Sequence, residues 1–426
     1  MAASRLSLRG KKERTGGAVP PAARLSRNAD ALAAADRHAE AEAAYRAALA
    51  ADPTQAGTHN NHGNALRALG RTEEAVAAYR AALDHGLDIA LVHYNLASAL
   101  RQAGRAAEAD RAYRRALVMQ PDHAEAWNNH ANLLRDEERL EAAAVGYRRA
   151  VTLRPDWNDA HDNFGSALYL LHERGRVEEA ARLAGLWRRE HPGNAVARHI
   201  GAAIAGEGAE PRAPDAYVRQ TFDLFAGEFD EKLAELGYRA PELLARAVAA
   251  DSTSGNGASG DGMLDVLDAG CGTGLCAAAL RPLARRLTGV DLSGGMLERA
   301  RARGLYDRLE EAELVAFLET NPAAFDLIMA ADVLCYFGVL DDALSAASAA
   351  LRPGGRLAFS VEALGDGEEP PHRVATHGRY AHREAYLRAA LAAAGLAVAS
   401  LGRDTLRLES GVPVSGLVVL ARKPDA

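Results

Sequence analysis

The chain has 426 residues, of which 48% are hydrophobic and 25% charged, and its formal net charge is −7. This length exceeds one typical domain and the composition is that of an ordinary globular chain, so two or three domains are expected. The negative balance excludes a global pull toward nucleic acid or anionic membrane, and no apolar run is long enough to span a bilayer.

The first residues, MAASRLSLRGKKERTGG, are basic but lack the apolar core of a secretory signal. Residues 1–21 therefore read as a disordered basic tail, with a phosphate-binding arm as the alternative. Cys271, Cys276 and Cys335 show neither metal-ligand spacing nor a disulfide framework. A cytoplasmic protein with no metal is the expectation.

From residue 22 the sequence repeats. Tyr45, Tyr79, Tyr113 and Tyr147 recur at a 34-residue step. Ala41, Ala75, Ala109 and Ala143 keep that step, as do Ala48, Ala82, Ala116 and Ala150. Pro53, Pro121 and Pro155 close three units, the second unit has Leu87 instead, and Gly70 and Gly104 mark turns inside units. A less regular fifth unit ends at Pro192. Small alanines let paired helices approach, tyrosine fills the gap between units, and proline stops the second helix. The pattern resembles the tetratricopeptide repeat over roughly residues 22–193. An α-solenoid of about five helix pairs is thus expected over residues 22–200, and the resemblance implies a concave face that binds a protein or peptide.

Asn61, Asn95, Asn129 and Asn163 follow the same step, with His59, His93, Trp127 and His161 two places earlier. Repeated amides on one face can clamp a peptide backbone, since each carries a donor and an acceptor. This column is similar to the asparagine ladder of the O-linked GlcNAc transferase repeats. The alternative is that the asparagines bond within the repeat and solvate its first helix. Imidazoles one repeat apart are too widely spaced to share a metal ion.

Residues 201–214, GAAIAGEGAEPRAP, read as a linker. Apolar residues at helical spacing then suggest cap helices over 215–250, and DSTSGNGASGDG at 251–262 reads as a flexible loop. Next, MLDVLDA reads as a buried strand leading into Gly270, Gly272 and Gly274. Alternate glycines let the chain turn tightly and let a ligand touch backbone. A dinucleotide fingerprint needs G-x-G-x-x-G, and the register here is G-x-G-x-G.

LDAGCGTG, with Asp268 before the glycines, resembles motif I of class I S-adenosylmethionine-dependent methyltransferases. The run DLSGGML from Asp291 to Leu297, the segment EEAELVAFL, the strand FDLIMAADVLCYFG and LRPGGRLAFSVE resemble the following segments of that superfamily in order. The likeness covers about residues 213–423, and the domain is taken as 215–425. The combined order looks like a family of predicted methyltransferases carrying tetratricopeptide repeats. It implies a Rossmann-like α/β fold with a seven-stranded, mostly parallel sheet after the solenoid. It also implies S-adenosylmethionine as methyl donor and S-adenosylhomocysteine as product. The cofactor contacts it implies are Asp268, Gly270, Cys271, Gly272 and Gly274 at the turn. Asp291, Leu292 and Met296 follow the second strand, Glu313 and Leu314 the third, and Ala330 and Asp332 the fourth.

The sulfonium methyl is already activated, so the protein must align a nucleophile and exclude water. A base is needed only for an acceptor that arrives protonated. Candidates are Asp332 and Tyr336, Glu362, and the segment HRVATHGRYAH with His372, His377, Tyr380 and His382. His382, Tyr380 and Glu362 are taken as the catalytic set, against the alternative of a polar surface loop. Tyr217 and Phe222 are lid candidates, against core packing of the cap. A-D-V-L stands where N-P-P-Y would mark amino-methylation of adenine or glutamine, and no basic aromatic patch points to nucleic acid. Three functions stay open: a methyltransferase whose solenoid grips a protein, a small-molecule methyltransferase docked through its solenoid, and a cofactor-binding scaffold without turnover.

Overall fold

The structure, a computed structural model, describes residues 20–207, 210–253, 263–365, 367, 370–409 and 411–425. The basic tail up to residue 19 and most of the glycine-rich loop expected at 251–262 lie outside the described residues. Contacts divide the chain into two compact units, one ending at Arg154 and one running from Pro155.

The first unit is helical: α1 (Pro21–Ala34), α2 (His38–Ala51), α3 (Ala56–Ala68), α4 (Thr72–Asp84), α5 (Ala90–Gln102), α6 (Ala106–Met119), α7 (Ala124–Asp136) and α8 (Leu140–Leu153). Consecutive helices pair. The turn inside each pair needs one left-handed residue, and Asp36, Gly70, Gly104 and Glu138 supply it. The alanine column and the tyrosine column of the second helices are buried, as small-against-large packing requires. Each buried tyrosine hydroxyl then needs a partner. Tyr45 donates to Asp30 (2.8 Å), Tyr79 to Asn64 (2.8 Å) and Tyr147 to Asn132 (2.7 Å), while Tyr113 meets the Ser98 hydroxyl at 3.2 Å. Gly63 is glycine because the Tyr79 ring lies on it: an added Cβ would stand 2.7 Å from that ring.

The second unit opens with α9 (Asn158–Glu173), α10 (Val177–Glu190) and α11 (Ala195–Ala205), then α12 (Asp215–Phe225), α13 (Phe229–Glu235) and α14 (Ala240–Thr253). Helix α11 carries buried Ala202, Ala203 and Ile204 into the stretch expected to be a linker. The α/β part follows: β1 (Leu264–Ala269), α15 (Ala277–Leu280), β2 (Ala284–Asp291), α16 (Gly294–Ala302), β3 (Arg308–Glu311), α17 (Leu314–Glu319), β4 (Phe325–Ala330) and α18 (Asp341–Ala350). It ends with β5 (Leu351–Ala363), β6 (His372–Val374), β7 (Tyr380–His382), α19 (Glu384–Ala393), β8 (Ala397–Glu409) and β9 (Val412–Arg422).

Strands β3-β2-β1-β4-β5 lie parallel in that order, β9 joins β5 antiparallel, and β8 pairs with β9. Both faces are covered, so the strands read as continuous apolar runs. Leu267, Ile328 and Phe359 pack with Phe317, Leu344 and Leu387 of α17, α18 and α19. Val266, Leu327 and Ala358 pack on the other face with Leu244 of α14 and Leu280 of α15.

The expected seven strands become nine among the described residues. The additions, β6 and β7, come from HRVATHGRYAH, expected to be a loop. Strand β5 runs on to Ala363, and its end pairs with β7 at Glu362–Ala381 and Ala363–His382. The segment EEAELVAFL contributes only the end of β3; the rest is α17, because the Glu313 carboxylate caps the amides of Val315 and Ala316. Among the described residues no helix is long and apolar enough to cross a membrane.

Candidate active site

Strand β1 ends between β2 and β4, the switch point where doubly wound sheets bind ligands at the carboxyl ends of their strands. Gly270, Gly272 and Gly274 there have φ of 64°, 54° and 89°, conformations that side chains disfavour. Their surroundings differ. A Cβ on Gly270 would stand 2.3 Å from Val333, and one on Gly274 would stand 3.0 Å from Tyr306. A Cβ on Gly272 would meet only Phe229, at 3.8 Å. Packing fixes two of the glycines, and the third faces open space.

That space is a cleft of about 1250 Å³, open mouth included. Gly270, Cys271, Gly272, Asp291 and Leu292 line it, with Glu313, Leu314 and Asp332. Gly274, Asp268, Met296 and Ala330 do not. Asp291, at the end of β2, accepts from the Gly272 amide (2.8 Å) and the Ser293 amide (2.9 Å). Burial pushes its pKa up against those amides. Asp268 is 1% exposed and accepts from the Tyr306 hydroxyl at 2.6 Å. Burial lifts its pKa to about 7. Since Tyr306 also packs on Gly274, Asp268 reaches the turn through Tyr306. Met296 is buried in α16 and Ala330 at the end of β4. Burial raises Glu313, but the amides of Ala316 and Val315 and the Arg212 guanidinium (2.6 Å) outweigh it and hold its pKa low.

The cap closes one side through Val218, Phe222, Phe229, Leu233 and Leu236 of α12 and its following segment. Two aspartates fasten it: Asp223 accepts from the Ser293 hydroxyl (2.5 Å), and Asp230 from the Thr273 hydroxyl (2.5 Å) and Arg303 (2.5 Å). Tyr217, a lid candidate, is buried and packs on His199.

Beyond β4 stands Asp332, with φ of 52°. The Ser360 hydroxyl accepts from its amide (3.0 Å) and donates to its Oδ1 (2.7 Å), which clamps this left-handed residue. Arg407 donates to its Oδ2 (3.0 Å) and also to Glu362, and through Nε to Glu409 (2.8 Å). Arg379 donates to Glu362 (2.7 Å) and to Glu409. Arg379, Arg407 and Tyr238 line the cleft; Arg379 lies in the segment HRVATHGRYAH expected to meet the acceptor, while Arg407 and Tyr238 escaped the sequence reading. The available signal was an arginine inside the apolar run TLRLE.

Of the expected catalytic set, Glu362 lies behind the two arginines rather than on the cleft wall. Tyr380 is fully buried, its hydroxyl donating to the Glu210 carbonyl at 2.6 Å. His382 is fully buried against the Gly338 carbonyl (3.1 Å), and burial pushes its pKa down to about 4. Neither lines the cleft. Tyr336 lines it, and His372 stands with Tyr380 and His382.

In the repeats, Asn61 donates to Asp30 (3.0 Å), Asn95 to Asn60 (3.1 Å) and Asn129 to the Tyr94 hydroxyl (2.9 Å). The amides form a ladder from one first helix to the previous one. Asn163 lies in α9 of the second unit and has hydrogen-bonding or electrostatic partners of its own. His59 and Trp127 bond the carbonyls of Pro53 (2.8 Å) and Pro121 (2.9 Å), and His161 that of Pro155 (3.0 Å). Among the described residues no group of three or more His, Cys, Asp or Glu side chains is placed to hold a metal ion.

The fold and site thus define a helix-pair repeat protein joined to a doubly wound α/β domain with a cleft at its switch point. Residues 267–357 match the methyltransferase domain family, and residues 60–109 and 94–160 match the tetratricopeptide repeat family. The chain carries tetratricopeptide repeats and a methyltransferase domain. It is similar to human methyltransferase-like protein 27, 46% identical over 89 residues, which are 21% of this chain and 34% of that protein. It is also similar to malonyl-[acyl-carrier protein] O-methyltransferase of Pectobacterium atrosepticum, 33% identical over 150 residues, 35% of this chain and 54% of that protein. The chain therefore spans about a third to a half of these curated relatives. A solved S-adenosylmethionine dependent methyltransferase from Mesorhizobium loti is 24% identical with a TM-score of 0.30, over 38% of this chain and 91% of that one.

Proposed function

We propose that the chain is an S-adenosylmethionine-dependent methyltransferase whose repeats recruit a protein partner. One observation carries this reading: the Asp291 carboxylate, fixed by two backbone amides, lines the same cleft as the open side of Gly272. Each Asp291 oxygen keeps acceptor capacity for a ribose hydroxyl, and Gly272 offers backbone where a Cβ would intrude, so the residues fit this group. When bound, it supplies a methyl already activated on sulfur. Gly270, Cys271 and Gly272 border the amino-acid part, and Leu292, Glu313 and Leu314 the base. The cap residues Phe222 and Phe229 exclude water. Asp268 supports the turn through Tyr306.

The repeats support the partner half of the reading, since stacked repeats offer long binding surfaces. Asn61 and Asn129 each give one amide hydrogen to the ladder and keep a second for a peptide, whereas Asn95 is buried and serves the ladder alone. Three free, buried cysteines go with a cytoplasmic setting. Incubation with methyl-labelled S-adenosylmethionine and cell extract tests the whole reading, with Asp291→Ala as control. Label in protein that the control loses supports a gripped protein substrate. Label only in small molecules supports solenoid docking, and no label above control supports a scaffold.

A further inference from the structure

The far side of the cleft carries a charge balance that bears on what can be methylated there. Its two cations are Arg379 and Arg407. Both are already matched: Arg379 to Glu362 (2.7 Å) and Glu409, Arg407 to the same two glutamates. Burial pushes both glutamates up, yet Arg379, Arg407 and His377 together hold them below the ordinary carboxylate value. His377 stands 3.4 Å from Glu362. Burial and then Arg379 push its pKa below the ordinary histidine value, against the raising pull of Glu362 and Glu409.

Two guanidiniums against two glutamates leave Asp332 as the surplus carboxylate; it lines the cleft, and burial raises its pKa against the pull of Arg407 and the Ser360 hydroxyl. One hydroxyl and one guanidinium occupy its two oxygens singly, leaving lone pairs free. Tyr238 and Tyr336 line the same cleft, and among the described residues no group hydrogen-bonds either hydroxyl. Arg212, the other cation on the wall, is taken by Glu313 (2.6 Å) and Asp215 (3.0 Å).

We propose that this side of the cleft takes an acceptor bearing an uncharged or cationic N–H or O–H group, whose hydrogen Asp332 accepts, and that it rejects carboxylates. The inference rests on the methyltransferase reading above. A carboxylate would meet a surplus like charge in a partly dry site whose cations are already matched, and such juxtaposition costs binding. An N–H or O–H group instead finds an acceptor in Asp332 and hydroxyls in Tyr238 and Tyr336. Phe229, Leu233 and Pro241 give the wall an apolar surface for the rest of the molecule.

Three probes of one shape test this: benzylamine, benzyl alcohol and benzoate. Each is titrated into the full chain by ligand-observed NMR, with and without S-adenosylhomocysteine. Benzylamine and benzyl alcohol should each bind at least tenfold more tightly than benzoate, and their order tells nitrogen from oxygen. Asp332→Asn should close most of the gap, and Glu362→Gln, which frees guanidinium charge without touching Asp332, should raise benzoate binding at least threefold. Benzoate binding as tightly as the others, no probe binding, or a gap that both variants leave intact overturns the proposal. Discrimination among probes in a chain that does not bind S-adenosylhomocysteine overturns the methyltransferase reading instead and leaves the charge assignment standing.

Discussion

Gly270 and Gly272 share a conformation and differ in function. Each has positive φ, so alanine at either costs ~1–2 kcal/mol of backbone strain. At Gly270 the new methyl also collides with Val333, and overpacking adds ~1–3 kcal/mol. Gly270→Ala should therefore lower the thermal midpoint clearly more than Gly272→Ala, whereas Gly272→Ala should lose affinity for S-adenosylhomocysteine while staying folded. Differential scanning fluorimetry with calorimetric titration would separate the two; equal midpoints would contradict the packing assignment. Asp268 gives a pH dependence. Its folded pKa, about 7, exceeds the ordinary aspartate value of 3.8 because it is buried. Between these values the folded state holds more protons than the unfolded one, so this group's contribution to stability is full below about pH 4 and is lost as pH rises through 7. Asp268→Asn should flatten the fall in stability between those values, as urea denaturation across pH would show. The glycine turn and Asp291 were legible because neighbouring residues encode them. Asp332 was legible as a residue after the fourth strand, but its cluster with Arg379 and Arg407 was not, since three separate strands and loops bring their charges together and no spacing announces it.

At the scale of elements, the 34-residue period was legible because every pair solves the same packing problem with the same alanine and tyrosine positions. The partners of the tyrosine hydroxyls follow that period too, at Asp30, Asn64, Ser98 and Asn132, but their residue types vary and so hid the column. Asn61, Asn95 and Asn129 bond backward, each to the preceding first helix. Asn95 is buried, and Asn95→Ala would strand the Asn60 oxygen, so it should destabilise the chain by ~1–3 kcal/mol in chemical denaturation. A change within ~0.5 kcal/mol, as for a surface residue, would remove the structural role. The extra strand pair was illegible for a different reason: β6 and β7 are three residues each and form only because β5 runs on far enough to pair with β7.

Over the whole molecule, repeat-like helices and a sheet domain were both legible, but not how the helices are shared between the units. The period runs on to Pro192, yet α9, α10 and α11 group with the sheet. His199 of α11 bonds the Gly378 carbonyl at 2.7 Å, and Gln220 of α12 donates to Asp162 of α9 at 2.9 Å. Gly378 precedes Arg379, so a helix of repeat character helps hold a residue of the cleft wall. Periodicity encodes helix pairing, whereas these contacts span up to 179 residues and depend on single side chains. The central claim is that the cleft holds S-adenosylmethionine against Asp291. Calorimetric titration of the full chain with S-adenosylhomocysteine, beside Asp291→Ala checked for unchanged helicity, tests it most directly. The account predicts saturable one-to-one binding that the variant weakens at least tenfold. No binding, or equal affinity in the variant, would contradict it.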